Sequence, residues 1–78
     1  MDIGKGYIGD IISFYAYNVS NNVEYIGKAP AGSATSSDTW QITKLTYDIS
    51  ENLTQIQYAS GNKKFDKVWD NRAGYTYS

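Results

Sequence analysis

The fold is decided by residues 40–59, WQITKLTYDISENLTQIQYA. Two runs rich in β-branched and aromatic residues flank a polar turn at residues 48–52, a pattern that predicts a β-hairpin. With Tyr47 opposite Leu53, strict alternation of side chains collects one apolar face. This face is predicted to contain Trp40, Ile42, Ile56 and Tyr58.

A segment similar to part of this hairpin lies thirty residues upstream. Residues 17–23, YNVSNNV, align without a gap with residues 47–53, YDISENL, and Ile26 then falls on Ile56. Two similar hairpins are one interpretation, and chance similarity over a short stretch is the other. A two-stranded hairpin is marginally stable alone in water, so two of them are expected to pair or stack.

The first hairpin, residues 11–28, is apolar on both of its faces. Alternation from the turn predicts that Tyr15 meets Tyr25 on one face and that Phe14 meets Ile26 on the other. A strand that is apolar on both faces is either central in a fold or covered by a partner.

The flanking segments carry different signals. Residues 1–10 contain several glycines and are interpreted as an N-terminal arm of a single domain spanning residues 1–78. Residues 29–39, APAGSATSSDT, are predicted to form a long loop between the hairpins, and a loop of this length in a small domain is either functional or mobile.

The period of the apolar pattern changes after the second hairpin. A short helix that begins near an Asn62 cap is predicted from the three- and four-residue spacing of Phe65, Val68, Trp69 and Arg72. A turn-rich loop is the alternative, because Asp, Asn and Val are poor helix formers. Residues 75–78 alternate like a last strand. The predicted fold class is therefore mainly β: a small antiparallel sheet, barrel or sandwich of two hairpins, with a short C-terminal helix as one interpretation.

Composition excludes several kinds of function. The 78 residues include no Cys and no His, so disulfides, thiolate metal sites and imidazole chemistry are excluded. A net charge of −1 argues against a nucleic-acid partner, and no run is long and apolar enough for a transmembrane helix. The start of the sequence lacks the pattern of a signal peptide, so the chain is expected to be made in the cytoplasm. Eight tyrosines suit half-buried strands and wet interfaces alike.

Parts of the sequence have residue types found in three kinds of chemical site. Asp66 and Asp70 could form a carboxylate pair for acid–base catalysis. Such a pair needs one protonated and one ionised carboxyl, and nothing in the sequence gives the two residues different environments. The turn at residues 48–52 has alternating oxygen ligands but lacks the glycine and glutamate of a calcium loop. Aromatic residues could form a platform for a sugar ring, namely Trp40, Tyr58 and the pair Tyr15 and Tyr25. No catalytic, cofactor-binding or metal-binding residue is predicted, and the chain is not expected to be an enzyme.

Residues 29–78 carry a resemblance to a known group of proteins. It lies in APAGS at residues 29–33, in TS leading to WQI at residues 40–42, and above all in WDNRA at residues 69–73 before a Tyr-Ser end. In these segments the chain resembles small, mostly uncharacterised virion- or tail-associated proteins of tailed phages and prophages. The resemblance implies a structural component of a virion, assembled in the cytoplasm of a bacterial host. It implies no catalytic residue, and it does not extend to residues 1–13.

These interpretations predict a phage virion protein that makes protein–protein contacts in the tail, neck or fibre-attachment region or on the capsid surface. A small carbohydrate-binding β-module is the alternative. The expected partners are other virion proteins and copies of the chain itself, with no nucleic acid, membrane, cofactor or small-molecule substrate. The predicted interface residues are Tyr7, Phe14, Tyr15, Tyr17, Tyr75 and Tyr77. The predicted core residues are Ile26, Trp40, Ile42, Leu45, Ile56, Phe65, Val68 and Trp69.

Overall fold

The computed structural model describes residues 9–78, which contain one antiparallel sheet of four strands. Its strands lie side by side in chain order: β1 (Ile11–Tyr17), β2 (Val23–Pro30), β3 (Gln41–Tyr47) and β4 (Leu53–Tyr58). A short 3-10 helix, Trp69–Gly74, follows β4. The predicted mainly β fold built from two hairpins is confirmed, and it takes the form of an open sheet.

The two hairpin turns share one hydrogen-bonding pattern. In each turn the first residue, Asn18 or Asp48, accepts through its side-chain Oδ1 from the backbone N–H groups two and four residues later, at 2.9–3.0 Å. The fourth residue, Asn21 or Glu51, has φ 65° in both turns, in the left-handed region. The sequence similarity of residues 17–23 to residues 47–53 therefore corresponds to one turn structure that is used twice.

Removal of the side-chain acceptor in the first turn should destabilise the protein. Asn18→Ala leaves two turn N–H groups without their protein partner, and we expect it to lower the free energy of unfolding by about 1 kcal/mol. Asn18→Asp is the matched control, because Asp48 accepts the equivalent bonds in the second turn. Urea unfolding followed by circular dichroism measures both variants. An equal loss in the aspartate variant would contradict this role of the acceptor.

Each hairpin has a β-bulge next to its turn. In the second hairpin Tyr47 pairs with Leu53 as predicted, but Thr46 then pairs with Gln55, so that β4 contains one extra residue at this point. The first hairpin has the same shift next to Tyr17, with the extra residue in β2. Because side chains alternate along a strand, one extra residue moves every later side chain to the other face relative to the partner strand.

The bulge in β2 overturns the side-chain pairs predicted for the first hairpin. Tyr15 pairs with Ile26 and not with Tyr25, and Phe14 pairs with Gly27 and not with Ile26. Tyr15 and Tyr25 therefore lie on opposite faces of the sheet, since each strand presents alternate residues to one face.

The bulge in β4 overturns the predicted apolar face of the second hairpin. Ile56 pairs with Leu45, and Tyr58 pairs with Thr43. Both therefore lie on the face opposite Ile42, and the prediction that they share its face is wrong. The prediction that Ile56 is a core residue is also wrong, since this side chain is 55% exposed.

One face of the sheet, here called the covered face, packs against the chain that follows β4. Its centre contains the indole rings of Trp40 and Trp69, whose centroids are 5.7 Å apart. Both side chains are buried, together with Ile42, Ala29 and Ala59. The predicted burial of Trp40, Ile42 and Trp69 is thus confirmed.

Trp69 lies close to the sheet because Gly27 has no side chain. A Cβ atom at Gly27 would lie 2.6 Å from Cζ3 of Trp69 and 3.0 Å from Cε3 of Trp40. Gly27 pairs with Phe14 on one side and with Ile42 on the other, so it lies in the middle of the covered face. A glycine at this position lets an aromatic ring pack directly on the backbone of β2.

The remaining predicted core residues are not buried. Phe65 is 45% exposed, because it lies in the loop between β4 and the 3-10 helix. Ile26, Leu45 and Val68 are half-buried. Ile26 and Leu45 lie on the face of the sheet opposite the tryptophans. Alternation along β3 places Leu45 there, and the bulge in β2 places Ile26 there.

The predicted short C-terminal helix is present as a 3-10 helix, but it begins at Trp69 and not near Asn62. The Asn62 side chain accepts from the N–H of Lys64 at 3.0 Å and from Nζ of Lys67 at 3.1 Å, which closes a turn instead of capping a helix. The backbone of Lys67 then exchanges two hydrogen bonds of 2.9 Å with Trp40. This bridge uses the backbone N–H and C=O of Lys67, which a helix through residue 67 would need for its own hydrogen bonds. The helix is therefore limited to Trp69–Gly74.

The loop between β2 and β3 is fixed to the core. It begins later than predicted, because β2 extends through Ala29 to Pro30. The indole Nε1–H of Trp40 donates to the carbonyl oxygen of Ala34 at 2.9 Å. This bond satisfies the only polar atom of a buried tryptophan and holds the loop against the covered face.

Residues 75–78 lie along the outer edge of β4 but do not form the last strand that their alternation predicts. Tyr77 forms an isolated antiparallel bridge with Ala59. The hydroxyl of Tyr75 accepts from the N–H of Val68 at 2.8 Å, and the hydroxyl of Tyr77 donates to the carbonyl oxygen of Arg72 at 2.6 Å. Burial raises the pKa of Tyr77 well above its ordinary value of 10.0.

The raised pKa of Tyr77 predicts a loss of stability at alkaline pH. The pKa of the Tyr77 hydroxyl is higher in the folded state than in the unfolded state, so the protonated hydroxyl stabilises the fold. This stabilisation is fully present below pH 10 and is lost as the pH rises above that value. We expect the free energy of unfolding to fall between about pH 10 and pH 12. Urea titrations at several pH values measure the slope. Tyr77→Phe should reduce the slope, and an unchanged slope would contradict the assignment to Tyr77.

Candidate interaction surface

The face of the sheet opposite the tryptophans is here called the open face. Its register is set by one row of paired residues across all four strands: Tyr15, Ile26, Thr43 and Tyr58. Alternation along β1 and β3 and pairing across the strands add the neighbouring rows. The apolar and aromatic members of the open face are Ile11, Tyr15, Tyr17, Val23, Ile26, Leu45, Tyr47, Leu53, Ile56 and Tyr58.

Nothing in residues 9–78 buries any of these ten side chains. Tyr15 and Ile56 are each 55% exposed, and Tyr17 is 61% exposed. An antiparallel sheet with one free face normally has polar side chains there. The open face therefore departs from the usual pattern, and contiguous apolar surface of this kind marks interaction sites.

Polar and charged groups lie at the ends of the open face. At the end away from the turns, Lys28 pairs with Ser13 and Gln41 in one row. At the other end, the amide of Asn22 donates to a carboxylate oxygen of Glu51 at 2.9 Å, which links the two turns. An apolar centre with polar surroundings is typical of protein–protein interfaces.

One aromatic side chain of the open face is held in place by a hydrogen bond. The hydroxyl of Tyr47 donates to the backbone carbonyl of Val23 at 2.7 Å, so its ring lies across the sheet from β3 to β2. This bond satisfies the polar atom of Tyr47. It leaves a fixed aromatic surface, and ordered side chains lower the entropic cost of binding.

The predicted interface residues divide between the two faces. Tyr15 and Tyr17 lie on the open face. Phe14 lies on the covered face, where its ring centroid is 4.9 Å from that of Trp40. Tyr75 and Tyr77 are half-buried against the core, with their hydroxyls bonded within the chain. The remaining predicted residue, Tyr7, lies outside the described residues.

Two members of the open face could have been found from the sequence only with the correct register. Strict alternation predicts Ile56 and Tyr58 on the face of Trp40 and Ile42, and the bulge in β4 moves them to the open face. The apolar character of both faces of the first hairpin was the signal for an open surface. The sequence of the second hairpin contains the same signal, since Leu45 and Leu53 lie outside its predicted apolar face.

The carboxylates of Asp66 and Asp70 have separate partners and do not form an acid–base pair. Asp66 forms an ion pair with Nζ of Lys67, and this hydrogen bond lowers the pKa of the Asp66 carboxyl. Asp70 accepts from the hydroxyl of Thr35 at 3.3 Å. Each group is thus used in a local contact, which gives no arrangement for joint chemistry.

The turn at residues 48–52, which has the alternating oxygens of a calcium loop, uses the Asp48 side chain for bonds within the turn. Both backbone bonds of Asp48 run to N–H groups of its own turn, and the bond from Asn52 lowers the pKa of the Asp48 carboxyl. Within residues 9–78, no three acidic, His or Cys side chains are grouped in a way that could hold a metal ion.

The predicted sugar platform is not formed by the residues chosen for it. Trp40 is fully buried, and Tyr15 and Tyr25 lie on opposite faces. Of the four residues, only Tyr15 and Tyr58 share an accessible face.

A polar cleft of about 510 Å³ lies between the two turns. Its lining includes Asn18, Asn22, Asp48 and Glu51, whose side chains are bonded to one another or to their own turns. Small-molecule sites are mostly apolar with a few free polar groups that converge on the ligand. The cleft does not have this arrangement.

Comparison with known proteins returned no match. No protein-family model, no curated protein and no solved structure matches the chain. Within the part of the chain that the structure describes, no helix has the length and apolar character needed to cross a membrane.

Proposed function

We propose that the chain is a structural protein of a tailed-phage virion, where it makes protein–protein contacts through its open face. The observation that carries the proposal is a four-stranded sheet with ten apolar or aromatic side chains on a face that residues 9–78 leave uncovered. Surface of this kind is stable in water when a partner buries it.

The sequence resemblance supplies the setting of these contacts. The segment WDNRA at residues 69–73, which forms most of the 3-10 helix, is its most specific part. The proposed locations are the tail, the neck, the fibre-attachment region or the capsid surface. The proposed partners are other virion proteins and copies of the chain itself.

Particles of the phage or prophage that encodes the chain provide the test. Purified particles analysed by quantitative mass spectrometry should contain the chain in a fixed ratio to the major capsid protein. An Ile56→Lys variant should be incorporated at a lower ratio, because it places a charge on the open face. Ile49→Lys is the matched control, since Ile49 lies in a turn and is fully exposed. Absence of the chain from purified particles would refute the proposal.

A further inference from the structure

We propose that the open face of one copy binds the open face of a second copy, so that two sheets pack face to face as a two-layer β-sandwich. Two antiparallel sheets commonly pack in this way with their apolar faces about 10 Å apart. The inference rests on the proposed function, because it names the partner of the same surface.

The size of the open face is close to that required for a dimer. Five of its members, Ile11, Tyr15, Tyr17, Leu53 and Ile56, are 42–61% exposed. A large side chain has about 150–250 Å² of surface, so these five side chains together expose roughly 500 Å² to solvent. The half-buried members bring this to roughly 700 Å² per copy, compared with about 800 Å² per partner in a standard interface.

The chemistry of the open face also suits a second copy. The central row, with Tyr15, Ile26, Thr43 and Tyr58, has no charged side chain. The next row contains one, Glu24, which alternation along β2 places on the face of Ile26. Packing with opposed strand directions brings the Lys28 end of the second copy towards Glu24, so the charges that approach each other have opposite sign. A two-fold axis also makes each apolar contact occur twice, as in other isologous dimers.

Charge at the ends of the open face selects the direction of packing. Lys28 lies at one end, and Glu51 lies in the turn at the other. A two-fold axis across the strands places the Lys28 end of each copy over the turn end of the other. An axis along the strands would bring the two lysines together instead, which is unfavourable.

Sedimentation velocity of the full chain over a range of concentrations tests the pairing. The wild-type chain should form a dimer that dissociates on dilution. Ile56→Lys should weaken the dimer by about 100-fold or more, because it would bury an unpaired charge. Ile49→Lys, the matched substitution on a turn, should dimerise like the wild type. Circular dichroism should show that both variants are folded.

Cross-linking tests the geometry without changing the charge of the face. The chain has no cysteine, so single-cysteine variants react at one position only. Thr43→Cys, near the centre of the open face, should form a dimer with a short bis-maleimide. Gln41→Cys should not, because Gln41 lies in the row of Lys28 and an axis across the strands holds the two Gln41 positions at opposite ends. Efficient cross-linking at Gln41 with none at Thr43 would refute the proposed direction.

The outcomes separate this inference from the proposed function. A wild-type chain that stays monomeric at all concentrations would refute self-pairing. If that monomer is still incorporated into particles through the open face, the proposed function stands and only self-pairing is refuted. A dimer that follows the Ile56→Lys and Ile49→Lys pattern but is absent from particles would support self-pairing and refute the virion proposal.

Discussion

Trp69→Ala is expected to lose about 3–5 kcal/mol of unfolding free energy, the usual cost of truncating a buried aromatic side chain. A chain of 78 residues has a total stability of about 4–12 kcal/mol, so this variant should be partly or fully unfolded at 25 °C. The loss is large because Trp69 contacts both the sheet and the second indole of a core that contains few buried side chains.

Urea unfolding followed by far-ultraviolet circular dichroism measures this effect. Phe65→Ala is the matched control, because Phe65 is an aromatic residue of the same segment that is 45% exposed. We expect it to cost less than about 1 kcal/mol, as substitutions of exposed residues usually do. Native stability of the Trp69→Ala variant would refute the assignment of Trp69 to the core.

Gly27→Ala is the second substitution with a large expected effect. It adds a single methyl group, which would lie 2.6 Å from Cζ3 of Trp69. The ring must then move away from β2, and overpacking of this kind costs about 1–3 kcal/mol. Gly74→Ala is the matched control, because a Cβ at Gly74 meets no atom within 4 Å.

A double variant distinguishes this steric effect from a general loss of strand flexibility. Trp69→Leu removes the ring that the new methyl group would meet. If the clash is the cause, Gly27→Ala should cost less in the Trp69→Leu background than in the wild type, as is usual for residues in contact. Equal costs in both backgrounds would contradict the proposed contact between position 27 and the indole.

Much of the fold could be predicted from local sequence. The strands, the two similar turns and the burial of Trp40 and Trp69 follow from β-propensity, turn residues and aromatic character. The pairs nearest the turns, such as Tyr47 with Leu53, were also predicted correctly. These features depend on residues that are close together in the sequence.

The register beyond the turns could not be predicted, and neither could the assignment of side chains to faces. Each bulge adds one residue to one strand, and no residue type at Glu24 or Thr54 signals it. The shift changes every later pair, so Ile56 and Tyr58 lie on the open face and not on the predicted face with Trp40 and Ile42. The role of Gly27 was missed for a related reason, since it depends on contact with a tryptophan more than forty positions away in the chain.

The location of the two indoles has a consequence for spectroscopy. Trp40 and Trp69 are the only tryptophans, and their ring centroids are 5.7 Å apart. At this separation their transitions couple, so the native chain should show an exciton couplet in circular dichroism that disappears on unfolding. The open face contains no tryptophan, so all indole emission comes from the covered face. In one unlabelled sample, indole emission therefore reports the folding of the core separately from any contact that the open face makes.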